Sequence, residues 1–310
     1  MQKSGNRVLN EFKLYYKHGA LAIMLLPTIL YFIIFKYIPM SGIVMAFKDY
    51  NLSLGIWGSP WVGFQVFEEA FATDTFIRAV KNTLIISFWK ILIGFPSPII
   101  LALTLNEVRH LRYKKIVQTV SYLPHFLSWI IVAGLCQQML SPTTGAVNYM
   151  LTKWFGFKEA IFFLGDNAYF RGVLIVTDIW KDVGWGSILY IATIAGIDPS
   201  LYEAAVCDGA TRFQRLVHIT LPSIIPTITI MLIMRVGSVL DAGFDQIFNL
   251  YNTAVYKSGD IIDTYVYRYG LGEMKYPLGT AIGLFKNIIG FILVITTNKI
   301  TTALNGSGIW

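Results

Sequence analysis

The chain has 310 residues, 55% of them hydrophobic and 14% charged, with a mean hydropathy of +0.57. Soluble domains carry a charged fraction of about a quarter, so a freely soluble globular protein is excluded and an all-α, polytopic membrane protein is expected. The net charge of +7 is scattered between apolar runs with no basic stripe, which excludes a nucleic-acid partner, and the two cysteines, Cys136 and Cys207, offer neither a disulfide framework nor a metal site.

Residues 1–18 form a basic tail in which Val8, Leu9, Phe12, Leu14 and Tyr15 predict a short amphipathic helix on the anionic inner leaflet. A spanning helix needs roughly 20 mostly apolar residues. Six stretches qualify, at about 20–37, 83–105, 116–140, 173–197, 224–250 and 281–300, within one transmembrane domain covering 19–305. Lys36-Tyr37-Ile38-Pro39 is not a small-residue cleavage site, so the first stretch reads as a retained helix. Lys and Arg cluster before the first helix, at Arg109–Lys115, at Arg212 and Arg215, and at Lys299. The positive-inside rule then places both termini in the cytoplasm and the loops 40–78, 141–169 and 251–277 outside, at the cell membrane.

The first helix contains Pro27, which predicts a kink, and its outer end is aromatic. The outer loop 40–78 carries Trp57, Trp61, Phe64 and Phe67, which suit either interfacial helices or a docking surface for an external protein. Asn82-Thr83-Leu84 opens the second helix, and Pro96 and Pro98 predict a break in its hydrogen bonding. In the third helix, His125 reads as a packing residue without an evident partner. The fourth helix carries Asp178, Trp180, Lys181, Asp182 and Trp185 within about two turns, with Asp178 at neighbour spacing from both Lys181 and Asp182. A charge in hydrocarbon costs at least about 2.5–3.5 kcal/mol. The cluster is therefore either a self-satisfied Asp–Lys pair or the wall of a polar passage, with indoles placed to stack on a sugar ring.

Between the fourth and fifth spans lies a polar elbow. Asp198 can cap a helix that begins at Pro199, and Gly209 suits the left-handed residue that ends it. Thr211 caps a second short helix, 212–219, which Pro222 is expected to stop. Small residues, Ala204, Ala205 and Ala210, suit close packing against another surface. In the fifth span Asp241 and Asp245 are expected on one helical face with Phe244 beside them, as a further part of a passage, while Gly237 and Gly243 permit local unwinding. The sixth span holds Lys286 and Asn287. No Gly-rich phosphate loop ending in Lys-Ser/Thr occurs, so the chain is not expected to hydrolyse ATP, and no catalytic or metal cluster is found.

The series Glu203-Ala204-Ala205, Asp208-Gly209-Ala210, Ile219, Leu221-Pro222 and Pro226 resembles the cytoplasmic EAA loop of binding-protein-dependent ABC importer permeases. Asp178 to Lys181, Gly184-Trp185-Gly186, the stretch 195–202 and the stretch 260–268 resemble the carbohydrate-uptake branch of that family, around the maltose and polysaccharide importers. This resemblance implies the type I importer permease fold and a heterodimer with a second permease. It further implies two ATP-binding subunits that hold ATP and Mg²⁺, and an extracellular solute-binding protein that delivers a carbohydrate. The stretch 199–222 would then be the coupling loop seated on an ATPase. Aromatic rings and carboxylates suit neutral or amine-bearing sugars. No cluster of inward arginines is apparent, and Arg235 alone keeps an acidic substrate open. A secondary transporter with an ion site at Asp178, Asp182, Asp241 and Asp245 is the competing expectation.

Overall fold

The computed structural model describes residues 19–306, 308 and 309, so the expected tail helix in 1–18 lies outside it. Helices account for the fold, and among the described residues the one β-type contact is an isolated bridge between Lys48 and Trp61.

Helix α1 (Gly19–Phe32) contains Pro27 and runs on through a π-turn at Ile33–Tyr37 and a short helical stretch to a 3-10 turn at Ser41–Phe47. Every side chain from Ile23 to Met40 is exposed within this chain. A short peripheral helix, α2 (Gln65–Phe71), precedes α3 (Asp74–Trp89), which begins eight residues earlier than Asn82 predicts. The expected break in regular hydrogen bonding falls just before Pro96 and does not interrupt the helical run. A π-turn at Lys90–Gly94 shifts the bonding register, so that Phe95 N donates to Lys90 O at 3.1 Å, and α4 (Pro96–Glu107) follows directly. Proline has no N–H to offer at the start of a helix, and the wider turn absorbs the shift.

The third predicted span is bent. Helix α5 (Leu111–Tyr122) ends in a 3-10 turn at Leu123–Phe126, and α6 (Trp129–Met139) leaves at 103°, capped by the Ser128 hydroxyl. Pro124 sits in that turn. After α7 (Ala146–Trp154) comes the central rod, α8 (Asn167–Ala195), capped by Asp166 and 29 residues long, about 44 Å at 1.5 Å per residue. It packs against α4, α5 and the helix that follows the elbow.

The elbow helix α9 (Pro199–Cys207) leads to α10 (Arg212–Arg215), a π-turn at Leu216–Thr220 and α11 (Leu221–Gly237). The last three form one continuous rod, Arg212–Gly237. Pro222 therefore does not stop the helix, contrary to expectation. Leu221 N already bonds five residues back to Leu216 O, and Pro222 enters where its missing N–H does little harm.

The fifth predicted span in turn ends early, at Gly237. Residues 238–243 form an irregular break, and α12 (Phe244–Leu250) restarts from Gly243 in the left-handed region at φ +94°. Helix α13 (Tyr276–Asn305) closes the fold.

Four runs, Ile23–Phe47, Asp74–Glu107, Arg212–Gly237 and Tyr276–Ala303, are long and apolar enough to cross a membrane, and the bent pair of α5 and α6 makes a fifth. Helix α8 has the length but carries Arg171, Asp178, Lys181 and Asp182.

Side-chain packing joins α4, α8 and α11 through Ile99, Ala102, Tyr190, Ile194 and Ile224. Helix association in lipid relies on close fit, and small residues at contacts supply it. Gly184 shows this. A Cβ there would fall well inside van der Waals contact of the Ser121 carbonyl and 2.9 Å from Tyr122 N. Both are backbone atoms with no freedom to swing away. We expect Gly184→Leu to eliminate monodisperse protein on size exclusion in detergent. Gly172→Ala on the same helix, where an added Cβ meets nothing within 4 Å, should leave the yield unchanged.

Candidate functional site: the elbow and the polar cleft

The elbow is built from local signals that all operate. Asp198 Oδ1 accepts from Ser200 N at 2.9 Å, and Pro199 occupies the first helical position. That hydrogen bond holds the Asp198 carboxyl below its ordinary pKa, so the cap is intact above the usual carboxylate range and weakens as pH falls through it. At the other end Gly209 takes φ +76°. Ala210 N donates to Ala205 O at 2.9 Å and Gly209 N to Val206 O at 3.0 Å, the paired bonds of a Schellman ending. Thr211 and Gln214 then form a capping box that starts α10.

No residue of α9 is buried, and Leu201, Val206 and Phe213 present large apolar surface beside Glu203, Ala204 and Asp208. A shallow cleft of about 300 Å³ runs under the turn between Ala205, Asp208, Gly209, Ala210, Arg215 and His218. Tyr202 Oη and Thr220 Oγ1, 2.9 Å apart, tie the elbow back to the long rod that starts at Arg212. Leu221 and Pro222 lie on that rod, beyond the cleft.

The second site is a cleft of about 450 Å³ between α4, α8 and α11, bordered by Ser97, Asp178, Asp182, Tyr190, Arg235 and Ser238. Its charges do not pair as their spacing in sequence predicts. Asp178 ignores Lys181 and bonds Lys90 Nζ at 2.7 Å, with Arg235 at 3.8 Å from its other oxygen. Lys181 donates instead to His125 O at 2.6 Å and lies over the Trp129 ring. His125 does have a partner: its Nδ1 is 2.7 Å from Asp182 Oδ1, and its ring stacks on Trp185 with centroids 4.5 Å apart and planes 2° from parallel. Asp182, His125 and Trp185 thus form one polar and aromatic ledge from two elements.

Of the expected pathway residues, Asp178 and Asp182 line this cleft, and Trp185 stands beside it on the ledge. Trp180 is about 200° around α8 from Asp178 and is exposed on the opposite side. Asp241 lies in the break rather than on a helix, accepts from Gly243 N, and borders a small recess with Lys90 and Arg235. It therefore does not share a helical face with Asp245, which is exposed on α12. Phe244 stacks on Phe248 with centroids 5.1 Å apart, away from the cleft. Local spacing in the sequence assigns no partner to Lys90, Arg235, His125 or Gln246. The contacts that matter at Lys90 span 88 to 156 positions, and no local spacing announces them.

Likeness to known proteins gives the family of the chain. Residues 94–248 match the family described as binding-protein-dependent transport system inner membrane component. Protein LplB of Bacillus subtilis (strain 168) is 44% identical over 290 residues, covering 94% of this chain and 91% of LplB. The polygalacturonan/rhamnogalacturonan transport system permease protein YteP of the same organism is 43% identical over 290 residues, covering 94% of this chain and 90% of YteP. Among solved structures, a chain of a bacterial ABC transporter involved in import of the acidic polysaccharide alginate superposes with a TM-score of 0.88 at 44% identity, covering 96% of this chain and 99% of that one. The alginate transporter in complex with its periplasmic protein bound to an alginate pentasaccharide gives the same values. The matched family segment runs from the π-turn of α3 through α12 and so contains both the elbow and the cleft, and the chain belongs to the binding-protein-dependent transport system inner membrane component family, as the permease component of an ABC importer.

Proposed function

We propose that this chain conducts an oligosaccharide, received from an extracellular solute-binding protein, through a passage shared with a second permease, and that it is driven by two ATPase subunits docked on its elbow. The single observation that carries the coupling reading is the exposed, doubly capped elbow, fixed to a rod of 26 residues that runs unbroken to the helix break beside the cleft. Closure of the ATPases on ATP and Mg²⁺ would displace α9, and the rod would pass that displacement on as a rigid body. Glu203 offers a carboxylate to a basic groove residue, while Ala204, Ala205 and Gly209 admit close contact. In this reading the elbow and both termini are cytoplasmic.

The cargo we infer is acidic. Relatives bearing 43–44% identity carry polygalacturonan/rhamnogalacturonan or alginate in their descriptions. Arg235 supports this, since its half-exposed guanidinium borders the cleft while Asp178 is already held by Lys90. The stacked His125–Trp185 pair supplies an aromatic face for a sugar ring. An ion-coupled secondary transporter would need carboxylates free to bind a cation, and the pairing of Asp178 and Asp182 weighs against that alternative.

The test is uptake into vesicles holding the assembled complex, with uronate and neutral oligosaccharides in competition. Uptake should require ATP and persist when the proton gradient is collapsed, and the uronate oligomer should compete. Trp185→Ala should lower uptake about tenfold, the loss of about 1.4 kcal/mol, while Trp180→Ala should remain near the native rate. Uptake driven by an ion gradient without ATP would reject the proposal.

A further inference from the structure

Lys90 is 3% exposed within the hydrophobic span of α3, and the passage as described has no use for its charge. An ammonium carries three N–H donors. Here they meet three acceptors: Asp178 Oδ1 at 2.7 Å, Ala242 O at 2.9 Å and Gln246 Oε1 at 2.5 Å. These acceptors belong to α8, to the irregular break that follows α11, and to α12. Gln246 is fully buried and is itself clamped, since its amide donates to Leu174 O at 2.7 Å and Thr177 Oγ1 at 2.8 Å on α8.

Two backbone irregularities converge on the same nitrogen. Lys90 opens the π-turn of its own helix, and π-turns recur at functional positions. Gly243 takes φ +94°, and a Cβ on it would lie 3.0 Å from Lys90 Nζ. The conformation favours glycine there, and any side chain would in addition crowd the ammonium. Beyond this saturated centre, the outer oxygen of Asp178 faces Arg235 at the border of the cleft.

We propose that Lys90 is a positioning residue for transport: by binding Asp178, the Ala242 carbonyl and Gln246 at once, it pins the break at residues 238–243 to α8 and so fixes the wall of the cleft on which Asp178 and Arg235 stand. The proposal rests on the reading of the chain as an importer permease. Stability alone does not account for the arrangement, because buried ion pairs replaced by apolar groups of similar volume often leave a protein as stable or more so. What the ammonium adds is a directional tie among three elements that otherwise meet through apolar packing and the Gln246 amide.

The test uses the complete transporter, reconstituted with its solute-binding protein. It compares Lys90→Met, Lys90→Arg and the charge-balanced double variant Lys90→Met with Asp178→Asn, a side chain that retains polarity at the cleft. Each is measured as uptake per assembled complex, as the apparent KM for loaded binding protein, and as ATP hydrolysed per sugar taken up. The double variant decides, because it removes both members of the buried pair and leaves only the half-exposed Arg235 without its carboxylate. It should assemble normally, keep its KM within twofold, lose at least tenfold in maximal uptake and hydrolyse more ATP per sugar. Lys90→Arg should not rescue, since a planar guanidinium does not match three converging acceptors. A purely structural lysine would change the amount of complex but neither the rate per complex nor the ATP ratio. Native uptake and coupling in the double variant would overturn the proposal, as would its failure to assemble, which would make Lys90 a folding residue. The native complex reports on the importer reading separately: if its ATPase does not respond to loaded binding protein, that reading fails before the pin is tested.

Discussion

Gly209→Asp is expected to lower ATP-driven uptake at least a hundredfold, a loss of about 2.7 kcal/mol in the coupled step, while membrane insertion and pairing with the second permease stay intact. Gly209 holds the left-handed end of α9 at φ +76°. Most L-residues there cost roughly 1–2 kcal/mol, Asn and Asp less, against the two hydrogen bonds from Ala210 and Gly209 that close the helix. Within this chain, however, an added Cβ at Gly209 meets nothing within 4 Å. Strain and fit to a partner can therefore be separated. Asparagine tolerates the left-handed region far better than alanine. If strain dominates, Gly209→Asn should transport well and Gly209→Ala poorly. If the ATPase groove dominates, both should fail, because each projects a side chain into it. Ala205→Trp, on the lining of the cleft beneath the turn, should fail for the second reason only. Subunit ratios after purification and uptake per complex are the measurements. Native uptake by Gly209→Asp with its ATPase still bound would remove the elbow from the coupling path.

The elbow was legible in sequence because its physics is local. Asp198, Pro199, Gly209 and Thr211 each act within four residues, and each does in the structure what its type and spacing predict. Pro222 was misread for a reason equally local but invisible to a residue-by-residue rule. A π-turn one step earlier had already changed the bonding register, so the proline joins the rod instead of ending it.

The interior charges were the least legible part. Asp178 and Lys181 stand at a spacing that pairs residues on an isolated helix surface, yet in a packed interior each selects a partner from another element. Lys90 arrives from the π-turn after α3 with three donors to satisfy, and among the described residues Asp178 is the one carboxylate it bonds. The break after Gly237 was similarly masked, since Val239, Leu240 and Ala242 continue the apolar run although they have already left the helix. Glycine at 237 and 243 permits unwinding, and the break that they bound meets Lys90 Nζ through the Ala242 carbonyl, a contact 152 positions away in sequence.

In the region between α12 and α13, Asp260→Ala should be the most destabilising single change, at about 3–5 kcal/mol. Asp260 is fully buried and accepts two bonds from one guanidinium, with Arg268 Nη2 2.7 Å from Oδ2 and Nη1 3.2 Å from Oδ1. Burial alone would lower the Arg268 pKa, but the hydrogen bonds and charge of Asp260 push it above its ordinary value; without Asp260 that support is lost, yet arginine's high intrinsic pKa keeps the guanidinium charged. Thr264 Oγ1 donates to the same carboxylate at 2.8 Å. The Asp260 carbonyl accepts from Asn82 on α3 at 2.9 Å, and Arg171 of α8 reaches Asn82 Oδ1 at 2.7 Å. Removing the carboxylate therefore strands a cation between the Tyr256 and Tyr269 rings and loosens a junction that joins α3 to α8. At roughly 2–4 °C per kcal/mol for chains of this order of size, the thermal midpoint in detergent should fall by about 10 °C. Asp260→Ala with Arg268→Met should recover most of that loss, because the uncompensated charge and not the missing bond is the larger cost. Uptake per folded complex, measured well below the midpoint, should stay near native in both variants, since the pair lies outside the cleft and the elbow. A midpoint shift below about 3 °C in Asp260→Ala would show that Arg268 finds water or another acceptor once its partner is gone.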